Sequence, residues 1–220
     1  MNRPLIINFK NYEEISGQAT LELAKAAEKV SHETSCEIVL APPIASLALV
    51  CRSVAIPVIA QHVDAASLGA STGFCVPKIT KSFGAAGSLL NHSEHRIEQG
   101  AIEDLIGQMG ELGMSSIVCA RTPEEVRHIS RLNPDFIAIE PPELIGSGKA
   151  VSKENPKIIS DSVDAARGSK SKVICGAGIT DKSDVARAIE LGSRGILVAS
   201  GVIKARSWHD KILEFAQGME

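Results

Sequence analysis

Three side chains that suit proton-transfer chemistry each follow a short apolar segment, although they lie far apart in the chain. Lys10 follows the first such segment, His92 follows the fourth, and Glu140 follows the sixth. A lysine offers a cation to an anionic substrate, a histidine polarises a reacting group, and a glutamate acts as a base. If the fold gathers these side chains, we expect a site that transfers a proton on a small anionic substrate.

Eight short and almost continuously apolar segments predict the strands that position these residues. Such segments are typical of parallel strands that are buried on both faces. They lie at residues 5–7, 37–40, 56–59, 88–90, 117–119, 136–139, 172–174 and 195–198.

Helical periodicity fills the intervals between the predicted strands. Apolar residues recur at helical spacing over residues 20–30, 97–112 and 180–191. Thr180 is the candidate N-cap of the last of these helices, and Thr122 is the candidate N-cap of a further helix over residues 122–129. Further helices are predicted after Ile44 and over residues 76–83, 122–129, 160–167 and 207–217.

The number of strand-then-helix units predicts the fold class. Eight units share 220 residues, so each has about 27 residues, close to the length of a minimal βαβ crossover. A doubly wound open sheet is the alternative, but eight units without a linker favour a closed (β/α)8 barrel of eight parallel strands. We therefore expect one domain over residues 1–220. In such a barrel the carboxyl ends of the strands meet at one rim, where Lys10, His92 and Glu140 would lie together.

Composition excludes several classes of partner. The net charge of -3, from 23 basic and 26 acidic residues, argues against a nucleic-acid-binding or polybasic membrane surface. No apolar run approaches the roughly 20 residues of a membrane span. The five cysteines form no Cys-x-x-Cys pair, which predicts buried, reduced thiols and neither disulfides nor a zinc site. We expect a soluble, cytoplasmic protein without nucleic-acid or membrane partners.

Four segments at the predicted strand ends resemble the triosephosphate isomerase family, in the short form typical of archaea. The similarity covers essentially the whole chain. The segments are residues 8–12 (NFKNY), 91–96 (NHSEHR), 139–148 (IEPPELIGSG) and 175–179 (CGAGI).

The resemblance implies a TIM barrel that interconverts dihydroxyacetone phosphate and D-glyceraldehyde 3-phosphate through an enediolate, with no cofactor and no metal. It implies that Glu140 is the base, that His92 is the neutral electrophile, and that Lys10 binds substrate and stabilises negative charge. The segment 140–148 would close over the substrate as a lid. The remaining implied substrate-binding residues are Asn8, Phe9, Ile145, Gly146, Gly178, Ala199 and Ser200, with Ser93, Glu94 and Thr72 in support.

Two other functions remain open on the same barrel. One is a Schiff-base aldolase or lyase with Lys10 as the nucleophile. The other is a non-catalytic barrel that only binds a phosphate. The long segment 62–77, rich in Gly, Ala and Ser, further predicts self-association as a homodimer or homotetramer. In the family the equivalent loop docks into a neighbouring subunit, with Thr72 and Gly73 matching its tip.

Overall fold

The structure is a computed structural model that describes residues 1–141 and 155–219. Eight parallel strands alternate with helices along the chain, as the apolar pattern predicts. The strands are β1 Leu5–Asn8, β2 Ile38–Ala41, β3 Ile59–Ala60, β4 Gly87–Leu90, β5 Ser115–Ala120, β6 Phe136–Ile139, β7 Lys172–Cys175 and β8 Ile196–Val198. The described helices are α1 Ala19–Thr34, α2 Ile44–Ser53, α3 Pro77–Ser82, α4 Gln99–Glu111, α5 Pro123–Ser130, α6 Pro156–Ala165, α7 Lys182–Glu190, α8 Ser200–Ile203 and α9 Trp208–Gly218.

The strands form a single sheet that closes on itself. Each strand from β3 to β8 pairs in parallel with the next, and β8 pairs with β1, which pairs with β2. A parallel bridge between Leu40 and Val58 joins β2 to the residue that precedes β3. This confirms the closed (β/α)8 barrel and excludes the open doubly wound sheet.

Alternate residues of each strand face opposite sides of the sheet and build two apolar layers. The inner layer fills the barrel with at least one side chain from every strand, among them Ile6, Cys119, Phe136 and Ala138. The outer layer lies between the strands and the helices and contains, for example, Leu5 and Ile7. Because side-chain direction alternates, position in a strand decides which residues at the rim face the barrel axis.

Several helix ends differ from the sequence prediction, and the ends of α5, α6 and α7 have identifiable causes. The hydroxyl of Thr122 accepts a hydrogen bond from the Glu125 N–H, so the predicted cap of α5 is confirmed. In α7 the cap is Asp181 and not Thr180, because Asp181 and Asp184 form a reciprocal capping box. Helix α6 begins at Pro156, earlier than predicted, because proline suits the first helical position.

Candidate active site

The first strand delivers Asn8 and Lys10 to the rim. Asn8 continues the inward-facing set that contains Ile6, and its side-chain oxygen accepts a hydrogen bond from the Lys10 N–H at 3.0 Å. Lys10 has a φ of +48°, which is uncommon for a residue with a side chain. The amide of Gln61 donates to the Lys10 carbonyl at 3.1 Å and stabilises this conformation. Such strain in a supported backbone is typical of functional sites.

A second positive φ places His92. Asn91 has a φ of +59°, and its side chain donates to the Cys119 carbonyl at 3.0 Å while accepting from the Ile97 N–H at 3.2 Å. The chain therefore turns sharply after β4, and His92 enters the cavity. Nδ1 of His92 accepts a hydrogen bond from the Glu94 N–H at 3.2 Å, so this nitrogen carries no proton. The proton of a neutral ring is then on Nε2, which lies 3.4 Å from Oε1 of Glu140.

Glu140 lies at the end of β6 and continues the inward-facing set of Phe136 and Ala138. Its N–H donates to the Ala120 carbonyl at 2.8 Å, and its residue is 3% exposed. The Oε2 atom is buried without a hydrogen-bond partner among the described residues. A buried carboxylate oxygen of this kind is costly unless a ligand or a proton completes it. Glu140 thus has the position and the free oxygen of a general base.

The thiol of Cys119 lies next to Glu140 inside the barrel. Burial raises the pKa of Cys119 well above its ordinary value, and the charge and hydrogen bonding of Glu140 raise it further. The thiol is therefore protonated at neutral pH, and it places an uncharged group next to the carboxylate.

Lys10 completes the charged groups of the site. Its Nζ lies 2.6 Å from Oε1 of Glu94, and the Lys10 side chain is mostly buried while that of Glu94 is mostly exposed. Glu94 therefore holds the ammonium group in place from the solvent side.

Together these residues surround a cavity of about 260 Å³. It has the size of a small-metabolite site rather than that of a large ligand. The residues predicted from the sequence that line it are Asn8, Lys10, His92, Glu140, Gly178, Ala199 and Ser200.

The other predicted site residues lie elsewhere. Phe9 does not line the cavity: alternation in β1 turns its ring outward, and it is fully buried in the outer apolar layer. Ser93 Oγ is buried without a partner among the described residues. Thr72 is exposed on the loop after β3. Ile145 and Gly146, and with them most of the predicted lid, lie outside the described residues.

Several residues that the sequence did not single out for the site also line the cavity, and Tyr12 and Lys204 have the largest side chains among them. Tyr12 follows Lys10 by two positions, and Lys204 follows Ser200 by four. Their spacing from predicted site residues, one helical turn in the case of Lys204, was the signal available in the sequence.

Nearly the whole chain matches a known family. The family model described as Triosephosphate isomerase matches residues 4–216. The chain belongs to the triosephosphate isomerase family. It is 45% identical to the triosephosphate isomerase of Cenarchaeum symbiosum (strain A) over 216 residues, which are 98% of this chain and 97% of that protein. It is also 45% identical to the triosephosphate isomerase of Methanothermus fervidus over 209 residues, 94% of each chain.

Two further observations concern the described residues alone. Within residues 1–141 and 155–219, no three His, Cys, Asp or Glu side chains are arranged to hold a metal ion. None of the described helices is both long enough and apolar enough to cross a membrane.

Proposed function

We propose that this chain interconverts dihydroxyacetone phosphate and D-glyceraldehyde 3-phosphate by proton transfer through an enediolate. The observation that carries the proposal is the pairing of Glu140 Oε1 with His92 Nε2 at 3.4 Å, in a cavity that Lys10 also lines. A base and a hydrogen-bond donor so close together fit the two neighbouring carbons and oxygens of a triose. Membership in the triosephosphate isomerase family supports the same reaction.

Glu140 performs the proton transfer. Its carboxylate removes a proton from the carbon beside the carbonyl group, which leaves an enediolate, and then returns the proton to the neighbouring carbon. His92 contacts Oε1, and the buried Oε2 has no hydrogen-bond partner among the described residues. No atoms are gained or lost overall, as an isomerisation requires.

His92 and Lys10 stabilise the charge that develops on the substrate oxygens. The Nε2–H of the neutral ring donates to the carbonyl oxygen, and the tautomer is set by the Glu94 N–H on Nδ1. The ammonium group of Lys10 lies at the same cavity and stabilises the negative enediolate. Fixed donors of this kind need no reorganisation during the reaction.

The phosphate of the substrate is proposed to bind on the wall of the cavity that follows the last two strands. Gly178, Ala199 and Ser200 line this wall after strands β7 and β8. Gly178 has a φ of +68°, which favours glycine and lets the backbone approach an anion closely. Loops after the last two strands commonly bind phosphate in barrels of this architecture.

A coupled assay with D-glyceraldehyde 3-phosphate tests the proposal. We expect isomerisation by the native chain, and a fall of about 10²-fold or more in kcat for Glu140→Asp, since the base is withdrawn by one methylene. Binding of a phosphate-bearing analogue should survive this change. Absence of turnover in the native chain would favour a non-catalytic phosphate-binding barrel. A borohydride-trapped adduct on Lys10 would favour the Schiff-base aldolase or lyase.

We also propose that the chain self-associates as a homodimer or homotetramer. The loop after β3 is closed at its base, where the Asp64 N–H donates to the Cys75 carbonyl at 2.9 Å. Its far end exposes Leu68 by 53% and Phe74 by 57%, next to the exposed Thr72. Apolar side chains so exposed on one loop favour burial against a second copy.

A second cavity supports this proposal by offering a place for the partner's loop. It has a volume of about 480 Å³ and lies beside the active site, sharing Lys10 and His92 with it. Stacked rings of His62 and His95, with centroids 4.0 Å apart, form part of its wall. A loop tip from a second copy would there contact the supports of Lys10 and His92.

Two further proposals concern the chain as a whole. We expect residues 1–220 to form one domain, because β1 and β8, from opposite ends of the chain, pair with each other. A cytoplasmic location is supported by five free thiols, which persist best in a reducing compartment.

A further inference from the structure

The charges of Lys10, Glu94 and Glu140 together leave the site short of positive charge for a phosphate dianion. Glu94 lies 2.6 Å from Nζ of Lys10 and balances its charge before substrate arrives. The carboxylate of Glu140 faces the same cavity. An approaching phosphate meets a net negative charge from these three groups, and a second cation would offset it.

Lys204 is a cation at the right place. It lines the cavity together with Ala199 and Ser200, on the wall proposed to bind phosphate. Its N–H donates to the Ser200 carbonyl at 3.0 Å, so it lies one helical turn beyond Ser200. Its side chain is exposed and forms no ion pair with any carboxylate of residues 1–141 or 155–219. The charge of Lys204 is therefore not balanced by a described carboxylate, whereas Glu94 balances part of the charge of Lys10.

The ring of Tyr12 holds this ammonium group at the cavity. Nζ of Lys204 lies 5.1 Å from the ring centroid, within the range of a cation–π contact. The ring itself packs against the outer apolar layer and lines the same cavity. The contact connects the loop after β1 with the segment after β8, and it directs a long, flexible side chain toward the substrate.

We propose that Lys204 is a substrate-binding residue, held over the Tyr12 ring so that its ammonium group attracts and contacts the phosphate of the triose phosphate. This inference rests on the function proposed above. The contact acts on the phosphate and not on the reacting carbons. It therefore changes capture and binding of substrate more than it changes proton transfer.

Removal of the charge tests the role of Lys204. At about 0.01 M ionic strength, where charges act over roughly 30 Å, we expect Lys204→Met to lower kcat/KM for D-glyceraldehyde 3-phosphate about tenfold. The inhibition constant of inorganic phosphate should rise by a similar factor. Both effects should shrink at about 0.15 M, where screening is stronger. Turnover of D-glyceraldehyde, which has no phosphate, should stay at the native value.

Matched variants separate a local effect from a general loss of charge. Lys170→Met removes the same charge just before β7, at the opposite end of the barrel, and should match the native chain at each ionic strength. Lys204→Arg keeps the charge and its contact with the ring, and should retain most of the activity. Tyr12→Leu should lower kcat/KM more than Tyr12→Phe, which keeps the aromatic face.

Two results would overturn the inference. One is a Lys204→Met variant whose kcat/KM at low ionic strength equals that of Lys170→Met. The other is an equal loss on D-glyceraldehyde, which would show that Lys204 only supports the structure. If the native chain did not isomerise triose phosphates, the proposed function would fail by itself. Calorimetric titration of native and Lys204→Met protein with inorganic phosphate would then still decide whether Lys204 binds the anion.

Discussion

Gly176 faces Glu140 so closely that a β-carbon at position 176 would lie 2.6 Å from Cγ of Glu140 and 3.2 Å from its Oε1. Glycine is therefore required beside the proposed base. We expect Gly176→Ala to displace the Glu140 carboxylate and to lower kcat by about 10²-fold, the usual effect of misplacing a catalytic group by about 1 Å. Steady-state kinetics on the purified variant, with a thermal melt to confirm folding, measures this.

The control for that substitution is Gly107→Ala. Gly107 is exposed within α4, and a β-carbon there would meet no atom within 4 Å. Alanine should stabilise the helix by about 0.5–1 kcal/mol and leave kcat unchanged. Equal kcat values for the Gly176 and Gly107 variants would show that Glu140 tolerates the crowding or is not the base.

The tautomer of His92 can be observed directly. Because the Glu94 N–H donates to Nδ1, we expect a ¹⁵N spectrum in which Nδ1 is unprotonated and Nε2 carries the proton. The signal is assigned by its loss in His92→Gln. This variant keeps a donor but not the ring geometry, and kcat should fall about 10²-fold. A proton found on Nδ1 would contradict the arrangement.

The buried thiols predict a loss of stability at alkaline pH. Burial raises the pKa of Cys175 from 9.0 to about 12. Below pH 9 the thiol is protonated in both states and the shift has no effect on pH dependence. Above pH 9 the unfolded chain loses its proton first, so the free energy of unfolding falls by about 1.4 kcal/mol per pH unit until the folded thiol titrates.

Urea unfolding of native and Cys175→Ala protein across pH 8–11 measures this contribution, since other titrating groups are common to both. Above pH 9 the free energy of unfolding of the variant should fall less steeply with pH, and the difference in slope should correspond to about one proton. Parallel curves would refute the assignment.

Brief alkylation of the folded chain at pH 8 should spare Cys119 and Cys175, which are fully buried, and modify the partly exposed Cys36, Cys51 and Cys75 first.

Self-association is tested at the exposed loop. Phe74→Glu places a charge on the apolar tip, and we expect smaller particles in analytical ultracentrifugation together with a loss of isomerase activity. Gln217→Glu, an exposed position on α9, adds the same charge elsewhere and should leave the assembly intact. A native chain that is monomeric and fully active at nanomolar concentration would exclude the proposed assembly.

The sequence predicted the barrel well because buried parallel strands have a simple pattern, as in Phe136–Ile139. It did not reveal the turns that aim Lys10 and His92. A positive φ at a lysine or an asparagine leaves no mark in the sequence, since these residues adopt it only under tertiary restraint. The contact between Tyr12 and Lys204 was likewise out of reach, because it exists only after β1 and β8 have paired.

Phe9 shows the limit of inference from position along the chain. It lies between Asn8 and Lys10, which both line the cavity, yet its ring faces the helices. The alternation of side-chain direction along the strand turns the Phe9 ring outward. Treating residues 8–12 as one motif hides this difference between neighbours. The cap of α7 is a similar case. Thr180 and Asp181 are both suitable cap residues, and Asp181 is the cap because it exchanges hydrogen bonds with Asp184 in a capping box.

Strand β3 is bonded more sparsely than its neighbours. It has two register pairs with β4, and it is joined to β2 through the single bridge at Val58. Amide hydrogens around this junction should exchange with solvent sooner than those of β1 or β6, which make longer pairings on both sides. The loop that follows β3 is thus attached where local opening breaks the fewest hydrogen bonds. Gln61 is the first residue of this loop and donates to the Lys10 carbonyl, so adjustment of the loop to a second copy would reach Lys10, whereas Glu140 follows the more extensively paired β6.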